Sequence, residues 1–292
     1  MSRLSAWVEG GPVITDGAWG TQLQARGLAP GELPDLWNLS HADQVEEVAA
    51  AYVESGSEIV LTNTFRANGI TLQEAGCADS IEQINRRGVD LSRNAAAGRA
   101  RVVASIGPTG KMLLSGDVTP EQVRAAFRAQ ARALASAAPD ALLCETFSEL
   151  EEAEIALQAA LETGLPVIVS FAFDTGKNKD RTMTGLTPEK AAAAAAAAGA
   201  DAVGANCGAG IEFFAALARR LRSACPLPVW IKANAGLPRM EQGRIVYDAT
   251  PEAFAAHFSA LAEAGVSFAG GCCGTGPEFI AALRRQRDSR RT

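Results

Sequence analysis

The sequence predicts an α/β protein closed into a (β/α)8 TIM barrel, and three observations carry that prediction. Short apolar or β-branched runs recur eight times along the 292 residues, each followed by a turn and a longer Ala/Glu/Arg-rich stretch. The longer stretches begin and end on residues that start and stop helices. Eight βα units also suit the chain length, since such barrels take about 250 residues and more with insertions.

The elements follow in order. The first run, residues 12–16, reads Pro-Val-Ile-Thr-Asp and leads into a Gly-Ala-Trp-Gly turn that opens a helix. A second helix is entered at Ser40, runs through Val45, Val48 and Ala51 and stops at Gly56, just before the strand predicted over 58–64. The third strand is 101–106; after it Thr119-Pro120-Glu121-Gln122 places an N-cap threonine before a proline at the first helical position. The fourth strand is 141–145, and the fifth, 166–171, follows Gly164. Thr187-Pro188-Glu189-Lys190 repeats the capping device before the alanine run at 191–198, and alanine has the highest helix propensity. Gly199 precedes the sixth strand at 202–206, and the seventh is 229–234. Thr250-Pro251-Glu252 opens a helix that ends at Gly265, before the eighth strand at 266–270.

Near-continuous apolar character suits parallel strands buried on both faces. A doubly wound open sheet is the structural alternative, but Asp16-Gly-Ala-Trp-Gly20-Thr-Gln lacks the G-x-G-x-x-G spacing of its dinucleotide fingerprint. No linker or composition shift divides the chain, so residues 1–292 are read as a single domain.

Composition narrows the function classes. With 48% hydrophobic residues, 21% charged and 28 glycines, the chain can bury a large core. A net charge of -6 argues against a nucleic-acid partner, and the basic RRQRDSRRT end reads as a solvated tail. The opening MSRLSAWVEGG has no apolar stretch long enough for export or a membrane span, so a cytoplasmic protein with no membrane partner is expected. The sequence leaves the oligomeric state open. Six cysteines are too sparse for a disulfide-stapled fold, which leaves thiolate chemistry or metal binding beside plain packing.

Barrel active sites form at the C-terminal ends of the strands. There the chain carries Asp16, Asn63-Thr64, Glu145-Thr146, Ser170, Asn206-Cys207, Asn234 and Cys272-Cys273. Adjacent cysteines bridge each other only with strain, but both can ligate one metal. Strand seven alone separates Cys207 from the pair. Three thiolates suit Zn2+ and leave a fourth position open, as in catalytic sites; the other reading makes Cys207, Cys272 and Cys273 small buried hydrophobes, and spacing alone does not choose. A thiol entering as fourth ligand would be deprotonated, and its natural reaction is alkyl transfer to sulfur. A zinc hydrolase would more typically use histidine, and His41 and His257 both fall in predicted helices. Asp16 and Glu145 can hold an ammonium group, and the backbone N–H groups of Gly17, Ala18, Gly20 and Thr21 can hold a carboxylate, which together describe an amino-acid site. Asp16 as a helix cap and Glu145 in an ion pair with a barrel lysine or arginine stay open. Cys77, Cys144 and Cys225 are read as packing residues.

These residues, with Asn63-Thr-Phe65, Gly107-Pro108, Gly204-Ala-Asn-Cys207, Asn234-Ala-Gly-Leu-Pro238 and Gly270-Gly-Cys-Cys-Gly-Thr275, resemble the homocysteine S-methyltransferases, a family of zinc-dependent (β/α)8 barrels. Within it the chain looks most like the homocysteine-binding module of cobalamin-dependent methionine synthase. The resemblance implies zinc on Cys207, Cys272 and Cys273, with the sulfur of homocysteine as a further ligand and methionine as product. It implies Asn234 at a position that approaches the zinc without substrate, Asp16 and Glu145 on the amino group, the Gly17 to Thr21 turn on the carboxylate, and Asn63 among the substrate-binding residues. Betaine-using relatives carry a tyrosine after the strand-four glutamate; here Thr146 follows Glu145 and Arg66 follows Phe65, so no betaine cage is expected, although Trp19, Phe65 and Trp37 offer aromatic faces. With no room for folate and cobalamin modules, the expected donor is a separate methylated corrinoid protein or a small methyl donor, with S-methylmethionine, S-adenosylmethionine or a betaine-type compound as the alternative. A different thiol acceptor, or a zinc-binding protein without catalysis, are the rival readings. Arg66, Lys232 and Arg181 are placed near the rim.

Overall fold

The apolar runs become parallel strands: β1 Val13–Ile14, β2 Ile59–Leu61, β3 Arg101–Ile106, β4 Ala141–Phe147, β5 Val167–Phe171, β6 Ala202–Gly210 and β7 Val229–Asn234. A two-stranded antiparallel ribbon, β8 Arg239–Glu241 with β9 Arg244–Val246, precedes the last barrel strand, β10 Val266–Gly271. The computed structural model describes residues 2–241 and 244–290; of the predicted 1–292 domain, Met1, Gln242, Gly243, Arg291 and Thr292 lie outside the described residues. The barrel order is β1-β10-β7-β6-β5-β4-β3-β2. A parallel bridge from Thr15 to Ile59, with Glu58 N–H donating to the Ile14 carbonyl at 2.8 Å, closes β2 onto β1. The eight-stranded barrel expected from the sequence is the architecture found.

Inside the barrel, residues such as Leu61, Val103, Leu143, Ile168, Trp230 and Phe268 form one buried cluster, with the Trp230 and Phe268 rings 5.3 Å apart. Leu4 joins this cluster, and the neighbouring Arg3 fastens the N-terminal segment by donating to Asp201 Oδ2 at 2.6 Å and to the Gly164 and Leu165 carbonyls at 2.7 and 2.8 Å. The helices bury their apolar faces against the outside of the strands in a second, larger core. One end of the barrel is thereby filled, and the other is free to carry the polar residues.

The helix caps at Thr119, Thr187 and Thr250 form as expected, each hydroxyl accepting an N–H of the first turn, and Gln122 completes a capping box with Thr119. Ser40 is a correction. It ends a short helix, Trp37–Ser40, and the following helix, Ala42–Glu54, begins at His41 without a side-chain cap. His41 and His257 lie at junctions between consecutive helices rather than within one. Two strands run further than predicted, β4 to Phe147 and β6 to Gly210, because each passes through a register shift at its C-terminal end.

Candidate metal centre and acceptor pocket

The late register shifts of β4 and β6 are where the chemistry sits. Cys207 has φ 59° and Thr146 φ 68°, both left-handed, a conformation that costs an L-residue on the order of 1–2 kcal/mol and persists where its surroundings impose it. Asn206 imposes it here: its Oδ1 accepts Thr146 N–H at 2.9 Å and the Ser170 hydroxyl at 2.7 Å, and its Nδ2 donates to Thr146 Oγ1 at 2.7 Å. Cys207 is the last residue of β6 in regular register, paired with Ala233 of β7, and the register shift that runs to Gly210 follows it.

The cysteine pair follows β10 and is tied to β7. Cys272 N–H donates to the Ala233 carbonyl at 2.7 Å, Ala235 N–H to the Cys273 carbonyl at 3.0 Å, and the Thr275 hydroxyl to the Cys272 carbonyl at 2.7 Å. Gly271 permits this turn, since a Cβ there would lie 2.1 Å from Thr275 Oγ1. The sulfurs of Cys207, Cys272 and Cys273 all lie within 4.8 Å of one another, and Cys207 and Cys273 are 3.8 Å apart. Sulfurs about 2.3 Å from a tetrahedral zinc are about 3.8 Å apart, so the donor set and its spacing fit the ion.

Electrostatics agrees. For Cys207 the bond with Cys272 favours the thiolate, but the bond with Cys273 and burial outweigh it and push the thiol up to about 12. For Cys273 the bond with Cys207 favours the thiolate, and Cys272 and burial likewise push it up to about 12; Cys272 is raised as well, first by its bond with Cys207. Three thiolates side by side repel one another, and a cation is what allows them to form. Asn234 donates from Nδ2 to the Gly208 carbonyl at 3.0 Å, while its buried Oδ1 has no hydrogen-bond partner among the described residues, a leftover oxygen acceptor beside the cysteine-bearing strands.

Asp16 does not cap the helix that follows; the N-cap is Ala18. Its carboxylate is fully buried, accepts Trp19 Nε1–H and Leu61 N–H at 2.8 Å each, and forms an ion pair with Lys232 on β7. Glu145, on β4, accepts the Ser105 hydroxyl at 2.5 Å and Asn206 Nδ2 at 3.5 Å. Burial raises its pKa and the Asp16 charge adds to this, with Lys232 and the Ser105 bond opposing.

Of the turn amides, Ala18 N–H is spent on the Thr275 carbonyl at 2.9 Å, whereas Trp19, Gly20 and Thr21 form the first turn of the helix Trp19–Ala25, where amides have no intrahelical partner. Asn63 uses its Nδ2 to hold the preceding loop, donating to the Pro34 carbonyl at 2.8 Å and Asn38 Oδ1 at 3.0 Å.

All but two of the candidate residues, Asp16 and Asn234, line a single cavity of about 320 Å³, which joins the Gly17–Thr21 turn, Asn63, Glu145 and the three cysteines; Asp16 underlies it through its partners Trp19, Leu61 and Lys232. Asn234, the last residue of β7, holds the Gly208 carbonyl and does not line that cavity. Phe65, Trp19 and Arg66 also line it, but Trp37 is stacked on His41 at 4.2 Å and Arg181 engages the Thr175 loop, away from the cavity. Sequence reasoning missed Asp35, a buried cavity carboxylate that accepts Arg66 N–H at 2.9 Å and that burial pushes up to about 7. It also missed the Asn206 clamp and the Lys232 pairing. A polar residue directly before Cys207 and a lysine inside an apolar strand were the available signals.

A model of the family described as homocysteine S-methyltransferase matches residues 13–287. The methionine synthases of Mycobacterium leprae (strain TN) and Mycobacterium tuberculosis (strain ATCC 25618 / H37Rv) are 31% identical over 287 residues and 30% over 285. Each match covers 92% of this chain and 24% of the relative, so the chain spans about a quarter of their length. Homocysteine S-methyltransferase 4 of Zea mays is 26% identical over 309 residues, covering 94% of this chain and 89% of its own. The metallated form of the homocysteine methyltransferase MmuM from Escherichia coli superposes with a TM-score of 0.80 at 24% identity, covering 97% of this chain and 99% of that one.

Proposed function

The chain belongs to the homocysteine S-methyltransferase family, and from that premise we propose that it is a zinc-dependent catalytic barrel that methylates the thiolate of L-homocysteine to form methionine. The observation that carries this reading is the set of three cysteine sulfurs within 4.8 Å of one another on the wall of the cavity. Cys207, Cys272 and Cys273 would hold the ion, and Asn234 Oδ1 offers an oxygen beside them. Zinc bound there would accept the substrate sulfur and keep it as a thiolate at neutral pH.

The chain's own groups do the rest. The Glu145 carboxylate is in place to hold an ammonium group, and the first-turn amides of Gly20 and Thr21 to hold the carboxylate of the same amino acid. Positioning lines the sulfur up for an in-line displacement in which the S–CH3 bond forms as the donor's bond to the methyl breaks, the electron pair leaving with the donor. A methylated corrinoid protein is the donor we favour. Similarity to about a quarter of two methionine synthases supports it. So does the placing of large exposed hydrophobics in the connections that leave barrel strands at the cavity end: Leu114 after β3, Met183 after β5, and Leu237 and Met240 after β7. A small sulfonium is the second donor class. Among the described residues no helix is long and apolar enough to cross a membrane, and reduced thiols fit a cytoplasmic setting.

The test is methionine production by the zinc-loaded protein from L-homocysteine with a methylated corrinoid, S-methylmethionine, S-adenosylmethionine and betaine in turn. One of the first three should be used and betaine should not; no methionine from any of them would sink the reading.

A further inference from the structure

Asp16 and Lys232 are 216 positions apart and almost completely buried, at 0% and 2% exposure. The Lys232 ammonium pairs with Asp16 Oδ1 and also donates to the Asp16 main-chain carbonyl at 3.0 Å. Asp16 Oδ2 takes the indole N–H of Trp19 and the N–H of Leu61. The carboxylate therefore has its counter-charge and most of its hydrogen bonds before any ligand arrives. An ammonium brought to Asp16 would either sit beside the lysine charge or displace it, leaving a buried lysine unpaired, and both are unfavourable. Glu145 differs in being within reach of the Lys232 charge without being paired to it. It lines the cavity and has no ion pair among the described residues, only the Ser105 hydroxyl and a long contact from Asn206.

We propose that Lys232 is a built-in substitute for a substrate ammonium at Asp16, so that Glu145 alone reads the acceptor's amino group. This rests on the reading of the cavity as a thiol-acceptor site. Asp16 becomes a support for the floor of the pocket, held by Lys232, and the pocket discriminates less against thiol acids without an amino group than a site with two free carboxylates would.

The experiment is titration calorimetry of the zinc-loaded protein with L-homocysteine and with 4-mercaptobutanoate, the same molecule lacking the amino group. Removing both charges in the double variant D16N/K232M should leave affinity for each thiol within about threefold of wild type. Glu145→Gln should weaken L-homocysteine about tenfold or more and leave 4-mercaptobutanoate unchanged, as loss of one charge-assisted hydrogen bond predicts. The single variant Lys232→Met reads the question independently: freeing Asp16 should raise the preference for L-homocysteine over 4-mercaptobutanoate about tenfold. A tenfold loss of L-homocysteine binding in D16N/K232M with 4-mercaptobutanoate unaffected, or an unchanged preference in K232M, would overturn the proposal. Failure of wild type to bind either thiol would instead overturn the acceptor reading on which it rests.

Discussion

Asn206 holds Thr146 at two points, its Oδ1 accepting the Thr146 amide at 2.9 Å and its Nδ2 donating to the Thr146 hydroxyl at 2.7 Å. The pair fastens one left-handed residue, Thr146, next to Glu145, and sits directly before another, Cys207. A single amide side chain thus braces the neighbours of a candidate metal ligand and of the Glu145 carboxylate, the proposed acceptor contact. Asn206→Ala should cost about 1–3 kcal/mol by leaving the buried partners unpaired, and lower zinc affinity about 10–100-fold. Chemical denaturation and competition with a zinc chelator measure the two effects; an unchanged zinc affinity would show that the clamp is structural only.

The thiol cluster lies outside the inner barrel core, which is built from residues such as Val103, Ile168 and Phe268. Cys207→Ala and Cys273→Ala are therefore expected to lose stoichiometric zinc while far-UV circular dichroism stays that of the wild type. Chelation of the wild type should act alike, abolishing thiol binding with the barrel intact. One zinc per chain retained in either variant would refute the ligand set.

Asp35 supplies a pH test. Burial holds its carboxyl up at about 7, against a reference near 3.9 in an unfolded chain. Between those values the native state binds the extra proton, so stability falls as pH rises from about 4 through 7 and stays lower above it. Asp35→Asn keeps an acceptor for Arg66 N–H and removes the ionisation. The variant should match wild type near pH 4 and exceed it at pH 8 by about 2–4 kcal/mol in urea unfolding. A variant equally destabilised at both values would contradict this.

Gly271 and Gly20 make a matched pair. A methyl at Gly271 lies 2.1 Å from Thr275 Oγ1, so Thr275 must give up its bond to the Cys272 carbonyl, whereas a methyl at Gly20 meets nothing within 4 Å. Gly271→Ala is expected to lose about 1–3 kcal/mol by overpacking, with weaker zinc binding. Gly20→Ala, in a helix, is expected to be neutral or stabilising by up to about 1 kcal/mol. Thermal melts of the two variants, with and without added zinc, distinguish these outcomes.

The sequence by itself determined the strand and helix alternation, three of the threonine caps and the three cysteines that meet at the rim, because each depends on chain-local chemistry: apolar runs, a Thr-Pro-Glu start, a sulfur at the end of a strand. Where local preference was weak, as at Ser40, the helix start was misplaced by a residue or two. Tertiary structure alone decided the partner of Asp16, since Lys232 reads locally as one polar residue in an apolar strand and acquires its meaning only when β7 is brought beside β1 through β10. It also decided that Asp35 is buried and that Cys207 takes a left-handed backbone within β6, because burial and a positive φ are imposed by neighbours distant in sequence. Propensity and spacing reveal which groups are available; desolvation and counter-charge, set by the packed barrel, fix which of them remain free for a ligand.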